Sequence, residues 1–255
     1  MSARRSPYAV VHDIDGPKVR LGVLWFAVSM GAAALARPAL AIVMAIAAAA
    51  AADQLVRIHD SPGSLRDVLT HPARLIAMLG AASMPLAAAA GSDTLAAAGA
   101  ATTILAVVGS GGRAPVVVLA ALPVGLAAAS PVLVHRLGTA AALFLLLLVA
   151  AYDAGDFIVG TGAGTSWEGP AAGIAAVAVV GFGTTVIAPP PLVEEGSATL
   201  AILVAMLAPL GPPVASVLVG DGATKARFVR RLDSLLLCGP MTAYVLAALL
   251  PSLSA

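Results

Sequence analysis

The sequence predicts an all-α protein, a polytopic transmembrane helical bundle of about nine spans (eight or nine) with its N-terminus in the cytoplasm. Of its 255 residues, 60% are hydrophobic and 11% are charged, and the mean hydropathy is +0.99. A soluble domain is nearer half apolar and a quarter charged, so these polar groups are too few to cover a water-facing surface. In lipid every backbone N–H and C=O must be paired inside the protein. The long Ala- and Leu-rich runs favour helices over the alternating strands of a membrane barrel.

The apolar runs mark the membrane spans, because a helix needs about 20 apolar residues to cross a bilayer and fewer where the bilayer is thin. Arg37-Pro38 alone separates the first two runs, which predicts a tight hairpin or one kinked element. The loop 53–74 is expected to hold a short interfacial helix capped by Ser64. The predicted spans are 21–36, 39–52, 75–90, 94–109, 114–134, 139–151, 171–188, 198–219 and 234–250.

The placement of basic residues predicts the orientation. With the N-terminus inside and nine crossings, only Arg37 and Arg136 of the 14 Lys and Arg residues fall outside, in agreement with the positive-inside rule. The net charge of +1 leaves no charged tail that would suggest nucleic acid. We therefore expect a multi-pass protein of a bacterial inner membrane. The inner basic residues are Arg4, Arg5, Lys18, Arg20, Arg57, Arg66, Arg74, Arg113, Lys225, Arg227, Arg230 and Arg231.

The spans are crowded with Ala and Gly, which lets helix backbones approach closely and predicts a compact bundle. Cys238 lies in an apolar run and is expected to be a buried packing residue. Pro123 and Pro131 are positioned to break one helix.

A first polar segment, residues 152–169, joins two spans on the inner side. Three carboxylates at a membrane boundary, those of Asp153, Asp156 and Glu168, are costly unless they are hydrated, paired or bound to a cation. The glycines of this segment let the backbone approach a ligand. Its composition is equally compatible with an ordinary hydrated loop in which Trp167 anchors the interface.

A second polar segment, residues 220–234, brackets four cations between Asp221 and Asp233. Basic side chains can clamp phosphates, and paired aspartates can hold Mg²⁺, which shares oxygen ligands with substrate phosphates. The alternative is a basic loop that sets the topology, with each aspartate paired to a neighbouring arginine.

Together the two segments resemble the phosphatidate cytidylyltransferase (CDP-diacylglycerol synthase) family. The resemblance covers about 150–250, so we divide the chain into a cytoplasmic tail (1–20), an N-terminal transmembrane bundle (21–150) and a cytidylyltransferase-like region (151–255). Thr165 stands where the family has Lys, and Arg230 where it has Asp. The matching residues are Asp153-Ala154-Gly155 with Phe157 and Gly160, then Ser166-Trp167-Glu168-Gly169, Gly220-Asp221 and Arg231-Leu232-Asp233-Ser234.

The resemblance implies an enzyme that transfers CMP from CTP to phosphatidate, giving CDP-diacylglycerol and pyrophosphate in phospholipid synthesis. It implies Mg²⁺ as the cofactor and a lipid phosphate, CTP and the lipid bilayer as partners. Asp221 and Asp233 are the implied catalytic residues and metal ligands. The implied substrate-binding residues are Asp153, Ser166, Trp167, Glu168, Lys225, Arg230 and Arg231.

Two other functions stay open. A catalytically degenerate family member would act as a membrane partner or a lipid-binding protein, which the departures from the family motifs favour. An unrelated transporter or permease would need polar residues and broken helices within its spans, and the predicted spans contain almost no ionisable residues. Association into a homodimer is open under every reading.

Overall fold

The computed structural model describes residues 17–60, 71–187, 192–220 and 226–253. Nearly all of these residues are helical, which confirms the predicted all-α bundle. A 3₁₀ turn, Ala208–Leu210, joins α8 to α9. The helices are α1 (Pro17–Leu35), α2 (Arg37–Asp60), α3 (Pro72–Ala90), α4 (Ser92–Gly109), α5 (Ala114–Leu137), α6 (Thr139–Gly160), α7 (Glu168–Ile187), α8 (Val193–Leu207), α9 (Gly211–Val219), α10 (Val229–Leu232) and α11 (Leu235–Leu253).

The lengths of the helices confirm a multi-pass membrane protein. Within the described ranges, eight helical segments are long and apolar enough to cross a bilayer, with α8–α9 and α10–α11 each counting as one span. The apolar part of α1, Leu21–Leu35, is shorter. The expected count of eight or nine spans is therefore confirmed.

Contacts between helix ends sort these ends onto two faces of the bundle. Asp53 near the end of α2 bonds to Arg74 at the start of α3. The Phe228 N–H donates to Gln54 Oε1 over 2.9 Å, which brings α10 to the same end. At the other end, a ring nitrogen of His135 lies 2.9 Å from the Ala33 carbonyl oxygen.

We call the first of these ends the basic face. The opposite face carries only two arginines of the described residues, Arg37 and Arg136. The arginines at the basic face include Arg57, Arg74, Arg113, Arg230 and Arg231. From the positive-inside rule we expect the basic face to lie on the cytoplasmic side. The start of α1 also lies at the basic face, because the Arg231 guanidinium approaches Gly22. The helices α1 and α2 are therefore antiparallel, as expected for a tight hairpin.

Small residues set the distances between helices, as their abundance predicts. A Cβ atom added at Gly80 would collide with Thr102, and one at Gly239 would lie 2.9 Å from the Ser130 Cβ. The former contact joins α3 to α4 and the latter joins α11 to α5. Such close approach lets dispersion hold helices together in lipid, where no hydrophobic driving force acts between them. The helices α2 and α5 are the most buried spans, and Cys238 is buried as predicted.

Two helices extend furthest past their predicted ends, and the charges at those ends have partners. The helix α2 extends to Asp60 rather than ending at 52, and it includes Asp53, which Arg74 neutralises. The helix α6 extends to Gly160 rather than 151 and includes Asp153. The expected interfacial helix at Ser64 lies outside the described residues.

Prolines affect the spans differently from the prediction. The helix α5 runs without a break through Pro123 and Pro131. The interruption occurs instead between α8 and α9, where prolines at 209, 212 and 213 remove N–H donors that helical carbonyls would use. The backbone tightens into a 3₁₀ turn with the Gly211 N–H bonded to the Ala208 carbonyl, and the torsion angles stay right-handed helical. We call this 3₁₀ interruption the kink; the span stays helical through it and is not unwound.

Candidate functional site

The C-terminal part of α6 carries two carboxylates into the basic face. Asp153 precedes Gly160 by seven residues, so it lies about 10 Å along the helix from its end. Its side chain is exposed at the surface of the bundle. An ionised carboxylate at this depth is costly in hydrocarbon. We therefore expect Asp153 to face a hydrated opening at the basic face.

Ser234 connects the two polar segments of the sequence. Its hydroxyl donates to Asp153 Oδ1 over 2.5 Å, although the two residues are 81 positions apart. Its backbone N–H donates to Asp233 Oδ1 over 2.8 Å. Ser234 and Asp233 are both buried, with Asp233 only 8% exposed. The two carboxylates thus share one serine, with Asp153 exposed and Asp233 buried.

Two tight turns that touch each other position Asp233. Asp233 and Ser234 form the turn between α10 and α11, and they pack against Gly211 at the kink between α8 and α9. A Cβ atom at Gly211 would lie 2.6 Å from the Asp233 carbonyl carbon and 2.8 Å from the Ser234 Cα. Only glycine leaves room for this backbone crossing, so residue 211 sets the position of Asp233.

A second set of glycines brings α7 against the acidic end of α6. A Cβ atom at Gly155 would lie 2.7 Å from the Ala172 carbonyl oxygen, and one at Gly169 would lie 2.5 Å from Asp156 Oδ1. Gly169 is in the first turn of α7, where backbone N–H groups point outward and the helix dipole favours negative charge. The start of α7 is therefore a favourable environment for the Asp156 carboxylate.

Tyr152 lies between these elements. It is 1% exposed, and its ring packs on Gly173, one turn after Gly169. Among the described residues its hydroxyl finds no hydrogen-bond partner. Asp153, Asp156 and Asp233 all lie close enough to interact with it electrostatically.

Two arginines lie beside the carboxylates in different ways. The Arg231 guanidinium interacts electrostatically with Asp153 and packs against Gly22 of α1. Arg230 donates from Nη1 to the Pro212 carbonyl over 3.1 Å and from Nη2 to Ser216 Oγ over 3.1 Å. Its Nη1 is 4.0 Å from Asp233 Oδ2.

The donor set suits a hard cation in kind, although it is incomplete. Within the described ranges, no group of three or more His, Cys, Asp or Glu residues is arranged to hold a metal ion. Mg²⁺ commonly uses one or two carboxylates and takes its remaining ligands from water and substrate phosphates. Asp233 and Asp153 supply oxygen donors of the right type. The second implied ligand, Asp221, lies outside the described residues, as does Lys225.

Three predicted residues do not join this cluster. Ser166 and Trp167 are exposed on the loop before α7. The Glu168 carboxylate accepts hydrogen bonds within that same loop, from Thr165 Oγ1 over 2.7 Å and from the Gly164 N–H over 3.3 Å. Glu168 therefore fixes the shape of its own loop. Trp167, which is 66% exposed, suits an interfacial anchor.

An ionic cluster between α2 and α3 was not predicted from the sequence. The buried Asp53 accepts from Arg74 Nε over 2.9 Å and from Arg74 Nη2 over 2.6 Å, and it also pairs with Arg57. The next residue, Gln54, holds Phe228 at the start of α10. Nothing in the sequence links residue 53 to residue 74 across the loop. For Asp156, by contrast, its spacing of three from Asp153 on a helix was an available signal.

An open apolar groove of about 340 Å³ lies elsewhere, between α3, α4 and α5, and contains none of these charged residues. No protein-family model, curated protein or solved structure matches the chain. The candidate site is therefore defined by its own geometry: a serine-bridged pair of aspartates, flanked by two arginines, at the basic face of a membrane bundle.

Proposed function

We propose that the protein is a bacterial inner-membrane lipid cytidylyltransferase, which transfers CMP from CTP to phosphatidate. The observation that carries the proposal is the hydrogen bond from Ser234 to Asp153. It joins the two segments that resemble separate motifs of the phosphatidate cytidylyltransferase family. A shared function is the simplest reason for two polar segments to meet inside an apolar bundle, where each carboxylate is costly.

The reaction joins two polyanions. A phosphatidate oxygen forms a bond to the α-phosphorus of CTP, and the bond from that phosphorus to the pyrophosphate oxygen breaks. The site must offset the repulsion and hold the reacting groups in line. A site at the basic face would meet CTP from the cytosol and phosphatidate from the adjoining leaflet.

The residues divide into two roles. Asp233, with Asp221, would hold Mg²⁺, which when bound supplies positive charge at the phosphates. Arg231 and Lys225 would contact phosphate oxygens, since guanidinium and ammonium groups both make charge-assisted hydrogen bonds. Asp153 would orient Ser234 and line the hydrated opening. Association into a homodimer stays a prediction.

A vesicle assay tests the proposal. The purified protein is reconstituted with phosphatidate, labelled CTP and Mg²⁺, and CDP-diacylglycerol is measured against protein-free vesicles. Asp233→Asn should lower turnover by about 10²-fold or more, the usual effect of removing one charge-stabilising group. Asp93→Asn is the matched control, because Asp93 is an exposed aspartate in the first turn of α4 at the opposite face. Folded protein without product would reject the enzyme, and unchanged turnover in Asp233→Asn would reject the site.

A catalytically silent family member is the second candidate, and one observation favours it. Thr165, at the position of the family lysine, donates to Glu168 and keeps that carboxylate within its own loop. Such a protein would bind CTP or phosphatidate without turnover. A thermal shift on adding either compound, together with no product in the vesicle assay, would support this candidate.

A further inference from the structure

Arg230 bonds to a different helix from the one that carries it. It lies on the short helix α10, and its guanidinium reaches α9, where Nη1 donates to the Pro212 carbonyl and Nη2 to Ser216 Oγ. Ser216 is only 4% exposed, and its hydroxyl donates in turn to the Pro212 carbonyl over 2.8 Å. The three groups thus form one small network on the first turns of α9.

This network lies at the backbone crossing that positions Asp233. Pro212 directly follows Gly211, the residue on which the Asp233 carbonyl group packs. The Arg230 Nη1 is also 4.0 Å from Asp233 Oδ2, close enough for an electrostatic interaction between the two side chains. One guanidinium therefore interacts with both sides of the crossing.

The geometry also conflicts with the phosphate-binding role that the resemblance implied for Arg230. An arginine binds phosphate best by aligning two N–H groups of its planar fork with two phosphate oxygens. Here both terminal nitrogens already donate to α9 over normal distances. Binding a phosphate in this way would break the network and remove the Arg230 donor from the buried Ser216 hydroxyl.

We infer that Arg230 is a positioning residue, which locks the kinked α8–α9 span to α10 and so fixes Asp233. The expected effect on turnover rests on the proposed function. The contact between Arg230 and α9, which we call the lock, can be tested without turnover. The lock predicts that replacing Arg230 and replacing Ser216 have coupled effects on stability. An arginine that bound phosphate and did not contact Ser216 would show no such coupling.

A double-mutant cycle on thermal stability tests the lock. Arg230→Gln and Ser216→Ala should each lower the midpoint of thermal unfolding by about 2–4 °C, and the double variant should fall by less than the sum of the two single losses, because both variants remove the same bond between Arg230 and Ser216. Arg227→Gln is the matched control, because Arg227 is an exposed arginine three residues earlier, and it should leave the midpoint unchanged. Additive losses, or no loss in Ser216→Ala, would overturn the inference.

Kinetics in the vesicle assay test the positioning role. Arg230→Gln and Ser216→Ala should both lower kcat, by up to about 10²-fold, with little change in the KM for CTP or phosphatidate. Arg230→Lys should recover only part of the loss, since an ammonium group keeps the charge but not the fork. A raised KM for CTP in Arg230→Gln with unchanged kcat would instead assign Arg230 to phosphate binding. Wild-type protein without turnover rejects the proposed function, while the stability cycle still decides whether the lock exists.

Discussion

Replacing Gly211 by alanine is the sharpest structural perturbation that the fold offers. The added methyl group would meet the backbone of Asp233 and Ser234, which cannot rotate away as a flexible side chain can. The α8–α9 span and the α10–α11 span would have to separate at the place where they position the Asp233 carboxylate. We therefore expect Gly211→Ala to damage both stability and the candidate site.

The magnitude follows from the distances. The Cβ atom must move from 2.6 Å to at least 3.0 Å from the Asp233 carbonyl carbon, and further still from its oxygen. Overpacking a well-packed interior costs about 1–3 kcal/mol, and a clash with fixed backbone belongs at the upper end. For a chain of this size, about 3 kcal/mol lowers the unfolding midpoint by about 6–12 °C.

The assay is thermal unfolding of the detergent-solubilised protein, with Gly183→Ala as the matched control. Gly183 lies within α7 with no atom within 4 Å of an added Cβ, so alanine there should stabilise the helix by about 0.5–1 kcal/mol. The predicted order of midpoints is Gly183→Ala, then wild type, then Gly211→Ala. A midpoint for Gly211→Ala equal to that of wild type would refute the close crossing.

Three further predictions follow from other contacts. Asp153→Ala and Ser234→Ala should be non-additive in a stability cycle, with a coupling of about 1.5–3 kcal/mol for a hydrogen bond to a charged group; additive effects would contradict the bond. Arg74→Leu should cost about 1.5–3 kcal/mol in thermal unfolding, because it removes two charge-assisted hydrogen bonds from the buried Asp53 while Arg57 stays paired with it; an unchanged midpoint would contradict the ionic cluster. The topology can be tested with a membrane-impermeant maleimide on a cysteine-free background. Arg113→Cys should react only from the cytoplasmic side, and Asp93→Cys should react only from the opposite side. Labelling of both cysteines from the same side would contradict the topology.

The sequence predicted the bundle well, because lipid leaves little choice. Long apolar runs must be helices in a bilayer, and the asymmetry of Lys and Arg predicts their direction. The predicted spans therefore match helices in the structure. Errors gathered where a charge ended a predicted span too early, as at Asp53 and Asp153. Both charges have partners distant in the chain, Arg74 and Ser234, which local hydropathy cannot show.

The candidate site was predictable only in part. The motif-like order of residues pointed to Asp153 and Asp233, and the structure brings them together through Ser234. The sequence could not show that Glu168 bonds within its own loop or that Arg230 reaches α9. The second outcome depends on the 3₁₀ turn after Leu207, which joins α8 to the helix α9 whose Pro212 and Ser216 accept from Arg230.

The central claim is that the two polar segments form one site. Paired cysteines test this claim most directly. Asp153→Cys and Ser234→Cys are combined in a Cys238→Ser background, and the protein is treated with a short bifunctional thiosulfonate. Linked peptides are then detected by mass spectrometry. The contact between these side chains predicts efficient intramolecular linkage, and none for Asp93→Cys with Ser234→Cys across the bundle. Equal, background-level linkage for both pairs would contradict the claim.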